Sequence, residues 1–346
     1  MNTSSPVPES ALGDFIAALP KVELHLHLEG TLEPELAFEL AAKNGVLLPY
    51  ADVDAMRAAY EFSDLQSFLD LYYAACAVLL TREDFRDLTL AYLRRAAADN
   101  VRHVEPFFDP QTHTARGVSF DTAIGGILDG LADGQREFGI TSGLILSFLR
   151  DLSASSAEET LDAAMPWLSS IVAVGLDSAE IGHPPEKFEA VYARARAVGL
   201  RAVAHAGEEA PAVLVSRTLD VLKVDRIDHG VRAVDDPALV DRLRRERIPL
   251  TVCPLSNTRL RVFTDMSQSP LAKLLRANVA VTINSDDPAY FGGYLAENFR
   301  AASVGLELTR DELAQLARNA IEGSFADEDR KAELLAELDQ VITGLT

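Results

Sequence analysis

A closed (β/α)₈ barrel of the TIM type is the fold class the sequence predicts, and three features predict it. Eight short apolar runs of β character recur along the chain, at Val22, Val101, Ser142, Ile171, Arg201, Arg226, Pro249 and Val279. Their start-to-start spacings are 79, 41, 29, 30, 25, 23 and 30 residues. The last six spacings are about what one strand, one helix and two loops require. The segments between the runs carry apolar residues at helical period. A doubly wound open sheet is the second architecture this pattern allows.

The first run, VELHLHL, precedes a unit long enough to hold more helix than a crossover needs. Leu65, Phe68, Leu69, Tyr72, Tyr73 and Cys76 share one helical face within it, so a helical insertion over the barrel mouth is expected. In the second run, Pro106 cannot donate to a sheet ladder, so this strand should bulge or stop there. Toward the end, Thr309 and Glu312 form a capping box ahead of Leu313, Leu316 and Ile321. A last helix carries Leu334, Leu335, Leu338, Val341 and Ile342. No linker or composition shift divides the chain, so residues 1–346 are expected to form one barrel domain, with residues 1–10 a flexible tail.

The 346 residues are 48% hydrophobic and 25% charged, the balance of a globular protein rather than a disordered one. A net charge of −21 opposes binding to nucleic acid or to an anionic membrane. Two cysteines, Cys76 and Cys253, are too few for a disulfide framework and suit a reducing cytoplasm. The N-terminus lacks the pattern of a signal peptide, and no apolar stretch approaches the roughly 20 residues that span a bilayer. The sequence leaves a homo-oligomer open.

Seven histidines occur, and four of them fall on expected strand ends. His25 and His27 are two apart on the first strand, so strand alternation points both imidazoles to one side. His205 closes the fifth strand, His229 the sixth, and the eighth runs into Asp286 and Asp287. The C-terminal rim of such a barrel is where groups from different strands converge. Three imidazoles and a carboxylate from His25, His27, His205 and Asp286 suit one Zn²⁺ with a position left for water. Such an ion lowers the pKa of water from ~16 to ~7, which makes a hydrolytic nucleophile available at neutral pH. Each signal is weak alone: Asp235, Asp236 and Pro237 repeat the Asp-Asp-Pro triplet where it most simply caps a helix. It is the agreement in position of four separate signals that favours a metal. His103, His113 and His183 are read as structural or solvated histidines, and Cys253 as a buried thiol.

Five segments, PKVELHLHLEG, VAHAGEE, RIDHGVR, LTVCPLSN and NSDDPAYFGGY, resemble the adenosine deaminase branch of the amidohydrolase superfamily from about residue 20 onward. The resemblance implies a one-zinc barrel with the metal on His25, His27, His205 and Asp286. It further implies that Glu208 gives a proton to a purine ring nitrogen, that His229 orients or deprotonates the water, and that Asp287 contacts the ring. GLDSAEIG at the fourth strand end lacks the lysine of binuclear relatives, so one metal is expected.

Within the branch, Glu29 stands where adenosine deaminases have an aspartate, and its extra methylene is expected to reach into ribose space. FFDPQTHTARG, GLDSAEIGHPP and CPLSN resemble the adenine deaminase subgroup. The expected substrate is therefore a small purine base, adenine, giving hypoxanthine and ammonia. Adenosine, or another 6-substituted purine, is the alternative. Asp109, Ser178 and Glu180 are candidates for the imidazole side of the base, and Asp287 is expected to accept N7–H.

Overall fold

The computed structural model describes residues 9–62 and 64–344. Ten strands are assigned: β1 Lys21–Glu23, β2 Val101–Val104, β3 Phe107–Phe108, β4 Thr141–Ser142, β5 Leu144–Leu149, β6 Ile171–Asp177, β7 Arg201–Ala206, β8 Arg226–His229, β9 Leu250–Val252 and β10 Val281–Ile283. Seven of them form a parallel sheet in the order β10-β9-β8-β7-β6-β5-β3, and β1, β2 and β4 form a second.

The residues just after β1 join the two edges of the larger sheet. Leu26 bridges Asp286 and His27 bridges Phe107, both in parallel sense. The His27 amide donates to the Asp286 carbonyl at 2.9 Å, and the Phe107 amide donates to the Leu26 carbonyl at 2.8 Å. The sheet thus closes into a (β/α)₈ TIM barrel, and the open-sheet alternative falls away. The closure runs through the segment that carries both leading histidines.

Strand two breaks at Glu105 and Pro106, between β2 and β3, because proline has no N–H for the ladder. The Pro106 carbonyl still accepts from the Ile145 amide at 3.0 Å. The strands are buried along nearly their whole length, as expected of a parallel sheet covered on both faces.

Between β1 and β2 lie helices Pro34–Asn44, Val53–Ala58, Leu65–Ala75 and Arg82–Ala98, the expected insertion. In Leu65–Ala75, Phe68, Leu69 and Tyr72 are buried and face the barrel. Thr309 and Glu312 form the capping box of helix Arg310–Gly323, and Leu334 and Leu338 bury the last helix. Asp236 caps helix Pro237–Glu246 through Ala238 and Leu239, so the first Asp-Asp-Pro triplet is structural. Of the expected tail, residues 1–8 lie outside the described residues, while Glu9 opens helix Glu9–Ala18. Among the described residues no helix is long and apolar enough to cross a membrane.

Candidate active site

The C-terminal ends of the strands bring the histidines together. The rings of His25 and His205 have centroids 4.6 Å apart, and His27 and His205 5.2 Å. His27 Nε2 lies 3.2 Å from His205 Nε2 and 3.5 Å from Asp286 Oδ1. His25 Nε2 lies 3.2 Å from the same Asp286 oxygen. All four side chains are buried.

Hydrogen bonding behind the rings sets which nitrogen faces inward. His25 Nδ1 donates to the Thr251 carbonyl at 3.1 Å, so Nε2 presents a lone pair to the cluster and has no hydrogen-bond partner there. His229 is turned the other way: Asn257 Nδ2 donates to its Nδ1 at 3.3 Å, which leaves the proton on Nε2. That N–H faces Glu208 Oε2 at 3.5 Å and Asp286 Oδ2 at 3.8 Å. Burial, with His25 nearby, pushes the His229 pKa down to about 3, so the ring is neutral.

The donor set fits a divalent cation. Ligands about 2.0–2.1 Å from a tetrahedral ion stand roughly 3.3 Å from one another, and three pairs of the expected set match this: His27 Nε2 to His205 Nε2 at 3.2 Å, His25 Nε2 to Asp286 Oδ1 at 3.2 Å and His27 Nε2 to Asp286 Oδ1 at 3.5 Å. Nε2 of His27 and Nε2 of His205 face each other at 3.2 Å in a buried site, where a cation could be held by both. The four residues whose ligand atoms all lie within 4.8 Å of one another are His25, His205, His229 and Asp286, with His229 in place of the expected His27; His229 turns an N–H rather than a lone pair to that group, and His27 Nε2 lies against His205 and Asp286.

Strain marks the same rim. Asp286, His229 and Ser178 all have positive φ, at 64°, 61° and 70°, a conformation costly for residues with a side chain. Each lines a cavity of about 40 Å³ above the cluster.

Glu208 sits in that wall on a turn after β7. The turn is held by Glu180, whose carboxylate accepts from the amides of Gly207 at 2.8 Å, Glu208 at 2.8 Å and Glu209 at 3.2 Å. Burial, then Asp286 and Glu180, push the Glu208 carboxyl well above its ordinary value. Its Oε1 is buried without a hydrogen-bond partner, as is Asp287 Oδ1. Burial and the adjacent Asp286 push Asp287 up in the same way.

Two residues stand elsewhere than expected. Glu180 is engaged by the turn and lies behind the wall. Glu29 does not reach into the cavity either: its Oε1 accepts from His113 Nε2 at 2.7 Å and the Asp109 amide at 3.3 Å. Arg116 donates to His113 Nδ1 at 2.8 Å and so fixes that ring's proton on Nε2. The physical reason is local, because burial makes an unpaired carboxylate costly and Glu29 takes the donors nearest to it. Asp109 and Ser178 do line the cavity.

Sequence reasoning passed over Asp177, the last residue of β6, which lines the wall beside Asp109. His27 Nδ1 is 3.7 Å from Asp177 Oδ2 and 3.9 Å from Asp109 Oδ2. A buried carboxylate at a strand end, as with Asp286, was the available signal. His103 bonds Thr141 and Glu105, consistent with a structural role, and Cys76 and Cys253 are free and buried.

The adenosine deaminase family profile matches residues 20–341. The chain belongs to this family. It is 58% identical over 331 residues to the adenine deaminase of Cupriavidus pinatubonensis, covering 96% of this chain and 94% of that one. The crystal structure of adenine deaminase from Arthrobacter aurescens superposes with a TM-score of 0.92 at 53% identity, covering 94% of this family member and 99% of that chain. A Burkholderia ambifaria amidohydrolase with bound zinc superposes with a TM-score of 0.90 at 31% identity, covering 99% and 97%.

Proposed function

We propose that the enzyme, acting as one barrel domain in the cytoplasm, hydrolyses adenine to hypoxanthine and ammonia with one zinc per chain. The observation that carries this reading is the buried Glu208 carboxyl, unpartnered at Oε1, facing the same cavity as the His/Asp cluster and Asp287. The relatives named adenine deaminase support the choice of base over nucleoside.

His25, His27, His205 and Asp286 would hold the zinc, which supplies an acidified water at neutral pH when bound. The bound zinc of the Burkholderia amidohydrolase supports that metal. Adenine C6 is a poor electrophile because its amino group donates into the ring. Glu208, kept protonated by burial, gives its proton to N1 and so polarises C6–N1. Addition of the water oxygen at C6 releases one proton, which the Glu208 carboxylate left by the first step takes back, and the second passes from the C6 hydroxyl to the amine, so that ammonia leaves and hypoxanthine remains. His229, neutral with its proton on Nε2, orients the attacking oxygen and stabilises its charge by donation; this favours the orienting role over that of base.

Asp287 holds N7. Its raised carboxyl supports a proton on Asp287 donated to the N7 lone pair, in place of the N7–H donor expected from sequence. The test is a panel of adenine, adenosine, AMP and N6-methyladenine on metal-replete enzyme, followed by ammonia release. Adenine should be turned over with the highest kcat/KM, and a preference for adenosine would overturn the assignment.

A further inference from the structure

Strand register sets three polar side chains in one row inside the barrel. His205 of β7 pairs with Asp228 of β8, and Asp228 pairs with Thr251 of β9. Residues paired across parallel strands turn their side chains to the same face. All three are buried, yet of the three only His205 lines the cavity. Asp228 and Thr251 therefore stand behind the cluster, out of reach of a bound base.

Which atom donates along this row is set by its contacts. His25 Nδ1 lies 3.1 Å from the Thr251 carbonyl oxygen and 3.0 Å from Thr251 Oγ1. A carbonyl oxygen can only accept, so Nδ1 donates and Oγ1 shares that hydrogen as a second acceptor. The Thr251 hydroxyl hydrogen then goes to Asp228 Oδ1, at 2.9 Å. The other carboxyl oxygen, Asp228 Oδ2, has no hydrogen-bond partner and stands 3.7 Å from His205 Nδ1, which has none either. Because His205 Nε2 faces the cluster, 3.2 Å from His27 Nε2, the hydrogen of this ring belongs on Nδ1. Both oxygens of Asp228 thus meet donors. Among the described residues, His205 is the only basic side chain within ion-pair distance of it. A buried carboxylate without a counter-charge is costly, and a cation held by His25 and His205 would supply one through the two rings.

We propose that Asp228 is a positioning residue for the zinc site, a single carboxylate that orients two of the ligands: His205 directly through Nδ1–H, and His25 through the Thr251 hydroxyl. The proposal rests on the reading above that these histidines hold zinc. A partner of this kind fixes the tautomer and tilt of a ring and raises its basicity as a ligand. One residue on β8 would then couple the ligand on β7 to the ligand on the segment that closes the barrel.

The test is zinc affinity, measured by competition between metal-free enzyme and a chromophoric chelator, beside thermal unfolding of the metal-free form. Asp228→Asn keeps the shape of the side chain but replaces one acceptor with a donor, and should weaken zinc binding by about 10- to 100-fold. Thr251→Val removes the hydroxyl and keeps the carbonyl, so a smaller loss of about 3- to 10-fold is expected. Thr251→Ser should restore wild-type affinity. In each weakened variant, KM for adenine at saturating zinc should move less than the zinc dissociation constant does.

A merely structural role would lower the unfolding temperature of the metal-free form and leave zinc affinity as in wild type, and that result overturns the proposal. Equal zinc affinities for Thr251→Val and Thr251→Ser overturn it too, and these two variants decide the matter if Asp228→Asn does not fold. Wild-type enzyme that binds no zinc would overturn the functional reading, and the proposal with it.

Discussion

A methyl group placed on Gly30 would lie 2.0 Å from Oδ1 of Asp287. Gly30 follows the first strand and Asp287 the last, which meet where the barrel closes, and the glycine hydrogen is the only side group that leaves the Asp287 carboxyl its position. Gly30→Ala should therefore push that carboxyl away from N7. We expect kcat/KM for adenine to fall by about 10-fold or more, mainly through KM, with the metal retained. Michaelis–Menten analysis beside metal analysis checks this, and unchanged KM would show that Asp287 does not hold the base.

Glu208→Gln keeps the shape of the side chain but not an acidic proton. Turnover should fall by ~10²- to 10⁴-fold with zinc content unchanged. Since the protonated form is the active one and its pKa is raised by burial, wild-type kcat/KM should be flat below that pKa and decline as pH rises through it. A pH profile that climbs over the same range would remove Glu208 as proton donor.

For His229→Ala the expectation is a large loss of turnover with zinc still bound, because Asn257 fixes the ring with its lone pair away from the cluster. Metal analysis of the purified variant decides the matter: loss of the ion would make His229 a ligand.

Glu180 accepts from three consecutive amides, and a glutamine there offers one carbonyl oxygen where the carboxylate offers two. Glu180→Gln should destabilise the fold by ~1–3 kcal/mol and lower kcat more than it changes zinc content, since the turn it holds carries Glu208. Thermal unfolding together with steady-state kinetics would show both effects.

7-Methyladenine should be a poor substrate, because it offers no lone pair and no N–H at N7 for Asp287. Efficient turnover of it would refute the Asp287 contact.

The barrel and the cluster were legible in the sequence for different reasons. Strand spacing and helical period are carried by each segment alone, so the fold could be read without knowing any contact. His25, His27, His205 and Asp286 were legible because a strand end in such a barrel has a known place in space. What could not be read is what depends on a side chain's choice between partners. Glu29 is expected in the cavity but bonds His113, a histidine read as structural or solvated that is buried in helix Pro110–Thr114. Glu180 was expected to meet the base but binds a turn after β7. The one signal for Asp177 was a carboxylate at a strand end, which stands out only once Asp109 is seen beside it.

The most direct test of the central claim is a titration of metal-free enzyme with zinc while ammonia release from adenine is followed. The account predicts negligible release without metal and a linear rise that ends at one equivalent per chain. Full activity in metal-free enzyme, or a rise that continues to two equivalents, would contradict it.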